Sequence, residues 1–74
     1  MAFEYPTPQG VLRLLRVQRR WAVQYRGYRC GEWHSPDAAV LAVARHQSGL
    51  AAWDRQRSDV SDDLLDWRPL GESL

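Results

Sequence analysis

The fold is decided by the stretch GEWHSPDAAVLAVARHQSGLAAWD, residues 31–54, which contains the signals that begin and end one helix. Ser35 is suited to the N-cap, because its hydroxyl oxygen can accept hydrogen bonds from free amides of the first turn. Pro36 suits the first helical position, where a missing N–H costs nothing. Gly49 is predicted to be the C′ residue of a Schellman-type ending. The sequence therefore predicts a helix over residues 36–48.

Three strand-like runs precede this helix: VLRLLRVQ, RRWAVQYR and YRCGEW. The middle run alternates apolar and polar residues, which puts Trp21, Val23 and Tyr25 on one face of a strand. Arg26-Gly27 fits a hairpin turn, because glycine tolerates a positive φ. We expect the helix to pack its small side chains against the Trp21 face.

Two of the runs have an ambiguous register. In the first, either a bulge after Leu14 reverses the two faces of the strand, or both of its faces are partly covered. In the third, simple pairing would leave Trp33 on the face opposite Trp21. Gly31 is a natural bulge position, and a bulge there would return Trp33 to the core. We favour that bulge.

The predicted fold class is α+β, with a three-stranded antiparallel sheet packed by one main helix in the order β-β-β-α. Residues 1–10 contain two prolines and a glycine, which are typical of an extended lead-in. Residues 11–70 are predicted to form a single α+β domain, and residues 71–74 to be a frayed tail.

A docked C-terminal segment is expected to complete the domain. Ser61 can cap a short helix over residues 62–67, and Val60 and Leu65 have the spacing of a hydrophobic staple. The apolar residues around Trp67 are too many for a free tail. We expect them to dock on the domain, over the second face of the sheet.

The composition limits the class of protein. A chain of 74 residues buries roughly 60% of its unfolded surface, and its aromatic content of 11% supplies large rings for a small core. No apolar run approaches the ~20 residues that span a bilayer, and residues 1–10 lack the features of a signal peptide. The single cysteine, Cys30, cannot form an internal disulfide. We therefore expect a reducing, cytoplasmic setting.

The net charge of +1 is unevenly distributed. Residues 1–46 carry seven Arg and three acidic residues, a net charge of +4, whereas residues 47–74 have a net charge of −3. All ten basic residues are Arg, which suits bidentate contacts with phosphate or carboxylate. The absence of Lys, Ile and Asn also fits the codon bias of a GC-rich genome, which we take as the main reason for the use of Arg.

The residues capable of catalysis or metal binding do not form a recognisable motif. Cys30 and His34 are four residues apart, which on a strand separates them by ~13 Å, and His46 lies at the predicted helix end. A metal site needs three or four convergent ligands, and a thiol nucleophile needs an oriented base. The clustered aspartates, Asp62 among them, fit a helix start. We expect no enzyme, no metal, no other cofactor and no small-molecule substrate.

Two surfaces are candidates for binding. With the helix on the Trp21 face, the opposite face of the sheet should present arginine and amide side chains, namely Arg20, Gln24, Arg26 and Arg29. Such a face could read base edges in DNA, although the sequence pI of about 8.0 is below the pI above 9 typical of nucleic-acid binders.

Trp53 is the other candidate. It either plugs the edge of the core or stands partly exposed as an anchor for a partner, since Trp is enriched at binding hot spots. We expect a protein partner or a homodimer through Trp53 and neighbouring arginines, with nucleic-acid binding as the alternative.

The stretch RRWAVQYRGYRCGEWHSPDAAVLAVARHQSGLAAWD, residues 19–54, resembles a set of short, uncharacterised, mostly proteobacterial proteins. They share a tryptophan strand, a glycine turn, a Ser-Pro-capped helix and a closing Gly-x-x-x-Trp-Asp. The resemblance implies a sheet-plus-helix fold and carries no established activity. More remotely, the element order is similar to AP2-like DNA-binding and GYF-like peptide-binding modules, without the Gly-Tyr-Phe signature of the latter.

Overall fold

In the part of the chain that the structure describes, five antiparallel strands form one sheet, with the spatial order β4-β3-β2-β1-β5. The computed structural model describes residues 2–56 and 58–70. The elements are β1 (Ala2–Thr7), β2 (Gly10–Val17), β3 (Arg20–Tyr25), β4 (Tyr28–Trp33), α1 (Pro36–Ala44), α2 (Ala51–Asp54), a 3₁₀ turn (Leu64–Asp66) and β5 (Arg68–Leu70). The predicted α+β class with an antiparallel sheet and a packed helix is confirmed. The count of three strands was wrong.

The first extra strand lies where an extended lead-in was expected. Strand β1 pairs with β2 along its whole length, and its Phe3 and Tyr5 pack against the core. The Phe3 ring lies 5.8 Å from that of Trp21, and the Tyr5 ring lies 5.3 Å from that of Trp67. Pro6 fits the strand because β5 pairs only with the first half of β1, which leaves the second half at an edge.

The predicted bulge in β4 is confirmed. Trp21 pairs with Trp33 and Val23 pairs with Cys30, which leaves two residues of β4 opposite Ala22. Gly31 has a φ of +101°, and a β-carbon there would overlap the Trp33 ring. The Trp33 ring therefore packs against the core over a position that only glycine can occupy.

Strand β2 contains no bulge, and its register against β3 is continuous. Leu12 and Leu14 are fully buried on the face that α1 covers. Val11 and Val17 lie on the other face, which we call the open face, and each is 38% exposed. Strand β2 is therefore regular and carries apolar residues on both faces, which excludes the alternative of a bulge after Leu14.

The start of α1 matches the prediction. Ser35 is the N-cap, its Oγ accepts a hydrogen bond from the Ala38 amide at 3.1 Å, and proline follows in the first turn. Ala39, Val40 and Val43 are buried against the sheet. Small side chains on this face let the helix lie close to the large rings beneath it.

The end of α1 was predicted wrongly. The helix ends at Ala44, and His46, not Gly49, is the C′ residue, with a φ of +56°. The amide of Gln47 donates to the Ala42 carbonyl at 2.8 Å, and that of His46 donates to the Val43 carbonyl at 3.0 Å. These two bonds define a Schellman motif with histidine in the left-handed position.

The C-terminal segment docks on the α1 side of the sheet and not on the second face. Val60, Leu64 and Trp67 pack against the core, whereas Leu65, the expected staple residue, is 89% exposed. The short helix predicted over residues 62–67 is a 3₁₀ turn capped by Asp63. The predicted frayed tail, 71–74, lies outside the described residues.

Candidate functional site

Trp53 takes the core position that the sequence left as one of two alternatives. Its ring is fully buried and meets the Tyr25 ring edge-on at 5.5 Å. Its Nε1 donates to the Val43 carbonyl at 2.9 Å, which joins α2 to the end of α1. A buried ring offers no surface to a partner, so Trp53 cannot itself be the exposed anchor.

The predicted arginine face is present on the open face of the sheet. A cross-strand row runs over all five strands, and its members are Arg68, Glu4, Arg13, Gln24 and Arg29. Glu4 and Arg68 form an ion pair at 3.4 Å. Neighbouring strands are about 4.8 Å apart, so Arg13, Gln24 and Arg29 form a compact polar patch.

Two of the predicted arginines lie outside this row. Arg20 is at the start of β3, where its Nη1 is 3.2 Å from the His34 Nδ1. Arg26 is in the β3–β4 turn, where its Nη2 donates to the Gln9 carbonyl at 2.9 Å and its guanidinium carbon stands 5.4 Å from the centre of the Tyr25 ring. Gln24 and Arg29 are therefore cross-strand neighbours, as predicted for one face. The Arg26 side chain instead contacts the β1–β2 turn.

The bulge produces a shallow depression on the open face. Ala22 and Gly31 are among its lining residues, with Arg20, Arg29 and Glu32, and its volume is about 340 Å³. Ala22 is only 4% exposed although α1 lies on the other side of the sheet. The carboxylate of Glu32 balances part of the positive charge in this depression.

A second and more apolar concavity lies between β4 and α2, and we call it the β4–α2 groove. Its volume is about 450 Å³, and it is lined by Tyr28, Arg29, Cys30, Gly49, Leu50, Ala51, Ala52 and Arg55. The Tyr28 side chain is 67% exposed, and Leu50 is buried. This groove was not predicted from the sequence, although the run of small residues before Trp53 was a signal for it.

The wall of the groove is held by one carboxylate. Asp54 accepts hydrogen bonds from the Ser48 amide at 3.0 Å, from the Ser48 hydroxyl at 2.8 Å and from the Gly49 amide at 3.0 Å. Gly49 has a φ of +92°, and a β-carbon there would lie 2.9 Å from the Cys30 Sγ. The loop before α2 therefore lies tightly against β4.

One edge of β4 is open beside the groove. In the described part of the chain, β4 pairs with β3 alone. Residues 28–30 are in regular register, and the bulge follows at Gly31. A bulge twists a strand and interrupts a ladder, so only the half of β4 that lines the groove presents a regular edge.

The candidate catalytic and ligating residues are on separate elements. His34 contacts Arg20, and the ring of His46 faces the backbone carbonyls of Trp53 and Ser58. Cys30 is a free, half-buried thiol in β4. Among residues 2–56 and 58–70, no group of three or more His, Cys, Asp or Glu side chains could hold a metal ion.

None of the helices in the described part of the chain is long and apolar enough to cross a membrane. Comparison with models of protein families, with curated proteins and with solved structures finds no match to this chain. The resemblance to short bacterial proteins consequently stays a prediction from the sequence.

Proposed function

We propose that this protein is a non-catalytic protein-interaction module, and that the β4–α2 groove is its contact surface. The observation that carries the proposal is the position of the Tyr28 ring, which is 67% exposed at the rim of an apolar concavity. Tyr and Arg are enriched at binding hot spots. Arg55 is among the residues that line the groove.

The open edge of β4 supports the same proposal. A strand edge exposes backbone amides and carbonyls that an added segment can pair with. Apolar side chains from such a segment would then enter the groove formed by Leu50, Ala51 and Ala52. A protein partner supplies both kinds of contact, in the reducing, cytoplasmic setting that the single cysteine favours.

The polar contacts that both histidine rings make with other groups of the protein support a non-catalytic role. General-base chemistry needs an imidazole within hydrogen-bond reach of the group that it activates. His34 is paired with Arg20, and His46 is half-buried after the end of α1, where its ring contacts the Trp53 carbonyl. Neither ring is engaged with Cys30.

The test is an affinity capture from the source cell with three forms of the protein, each with and without nuclease. Ala52→Glu puts a charged side chain into the groove at an exposed position. Leu41→Glu makes a similar change on the exposed side of α1, away from the groove, and is the matched control. Circular dichroism and thermal unfolding establish that both variants fold.

We expect the wild type and Leu41→Glu to retain the same proteins and Ala52→Glu to lose them. Nuclease should leave the set of retained proteins unchanged. The same set of proteins retained by all three forms would contradict it. Wild-type protein that retains nothing but its own copies points to self-association.

Nucleic-acid binding through the open face is the second candidate. The row of Arg13, Gln24 and Arg29 favours it, because Arg and Gln side chains are those that reach base edges. Glu4 in the same row and Glu32 in the adjacent depression oppose it by adding negative charge.

This candidate is tested with the double variant Arg13→Ser and Arg29→Ser. Wild-type protein should retard DNA or RNA at low salt, with affinity that decreases steeply as salt rises, and the double variant should not. If the wild type causes no retardation at low salt, the open face has another role.

A further inference from the structure

Leu65 is a large apolar side chain held in the solvent. It is 89% exposed, while the adjacent Leu64 packs against the core. The Asp63 side chain accepts a hydrogen bond from the Leu65 amide at 3.0 Å, and the Ser61 hydroxyl donates a hydrogen bond to the Asp66 carboxylate. Leu64 thus attaches the turn to the core, and the two hydrogen bonds hold its ends. Leu65 is therefore presented in a fixed position.

The surroundings of Leu65 are acidic. Asp62, Asp63 and Asp66 are all exposed next to it, and we call residues 62–66 the Leu65 turn. An exposed leucine ringed by carboxylates is an unusual feature in so small a protein, because most of its other leucines are at least partly buried. It has the character of an apolar anchor with a charged rim.

The β4–α2 groove has the opposite character. Its apolar wall is formed by Leu50, Ala51 and Ala52, and Arg55 supplies positive charge to its lining, while the Arg29 side chain belongs to the open face on the other side of β4. The groove therefore matches the Leu65 turn in both properties, because the contact would pair an apolar cavity with an apolar anchor and an arginine with carboxylates. Arginine is also the better partner for carboxylates, since its planar fork can bond both oxygens.

We infer that the occupant of the groove is the Leu65 turn of a second copy of this chain. The inference rests on the proposed function and names the partner of the same groove. The Leu65 turn leads into β5, and the groove lies along β4, which is at the opposite edge of the sheet. The contact is thus head-to-tail, with each copy contributing a different surface.

Head-to-tail contacts of this kind build an open chain of copies unless the rotation closes a ring. A contact built on one leucine and a few ion pairs is at the small end of protein interfaces. We therefore expect an association with a dissociation constant of roughly 10–1000 µM. Rim ion pairs are screened by salt, so the association should weaken as salt rises.

The test is sedimentation equilibrium of the full chain and of two variants over a range of concentrations. Leu65→Asp removes the anchor at a solvent-exposed position, and Ala52→Glu blocks the groove. Leu41→Glu is again the control for an added charge outside both surfaces. Wild type and control should associate alike, and each of the two interface variants should associate at least tenfold more weakly.

A mixture of the two interface variants separates this inference from a general loss of association. Ala52→Glu keeps the anchor and Leu65→Asp keeps the groove, so an equimolar mixture should form a heterodimer that does not grow further. Association of Leu65→Asp alone that equals wild type, or a mixture that stays monomeric, would overturn the inference. So would a wild-type protein that stays monomeric at about 1 mM, and that result would leave capture of another protein by the groove as the proposed function.

Discussion

The imidazole of His46 stacks on the indole of Trp53, with ring centroids 5.0 Å apart and planes inclined by 14°. Its Nδ1 is 3.3 Å from the Trp53 carbonyl oxygen, and its Nε2 is 3.0 Å from that of Ser58. One side chain thus connects the end of α1, helix α2 and the chain that follows. His46 has a left-handed conformation, which is uncommon for residues other than glycine, and these contacts help to hold it there.

Replacement of His46 by alanine should destabilise the protein by about 2 kcal/mol, because a hydrogen bond from the ring to a carbonyl and the ring stack are lost. His46→Gly should be about 1 kcal/mol more stable than His46→Ala, because glycine adopts a positive φ without steric penalty. Urea unfolding followed by tryptophan fluorescence measures both differences. An alanine variant as stable as wild type would show that the side-chain contacts contribute nothing.

Replacement of Trp53 should lower the stability of the fold and should not remove a direct contact with a partner. Trp53→Phe removes the donor to the Val43 carbonyl and leaves a cavity between α1 and α2, which we expect to cost about 2–4 kcal/mol. Trp53→Ala should leave the chain largely unfolded at 25 °C, because a domain this small has little stability to lose. Thermal unfolding by circular dichroism is the measurement. A cooperatively folded Trp53→Ala variant with weakened association would instead restore the exposed-anchor interpretation.

The elements that the sequence predicted correctly are those set by local chemistry. Ser35 and Pro36 mark the start of α1 through hydrogen bonding and backbone geometry within one turn. The bulge at Gly31 follows from the alternation of strand faces, since Trp33 could reach the core in no other way. Both deductions need only a few neighbouring residues.

The elements that were missed depend on contacts distant in sequence. His46 ends α1 because of groups in α2 and at Ser58, and no pattern near residue 46 indicates them. Phe3 and Tyr5 did alternate like strand residues, but the prolines beside them hid the strand until its edge position was known. The β4–α2 groove exists only where two elements meet.

Asp54 should be essential for the shape of the groove. Asp54→Ala removes the acceptor for two backbone amides and one hydroxyl, and should destabilise the protein by about 2–3 kcal/mol. Asp54→Asn keeps one acceptor oxygen and should fall between alanine and wild type. Chemical denaturation gives the order of stability, and amide hydrogen exchange at Ser48 and Gly49 reports the loop itself. Unchanged exchange at these two amides in Asp54→Ala would contradict this role.

The contact between Gly31 and Trp33 can be isolated by comparison with Gly27. Both glycines have positive φ, +101° and +84°, but a β-carbon at Gly27 meets nothing within 4 Å. Gly27→Ala should therefore cost only the backbone penalty of about 1 kcal/mol. Gly31→Ala adds the overlap with the Trp33 ring, so we expect a loss of about 3 kcal/mol or more.

The double variant Gly31→Ala with Trp33→Ala completes this comparison. Removing the ring makes room for the new β-carbon, so in the Trp33→Ala background Gly31→Ala should cost no more than Gly27→Ala does in the wild type. The difference between the two backgrounds is the coupling energy, which urea unfolding of the four forms measures. A coupling energy near zero would mean that the ring does not occupy the space above Gly31. The bulge would then be set by the backbone alone, and Trp33 would be free to leave the core.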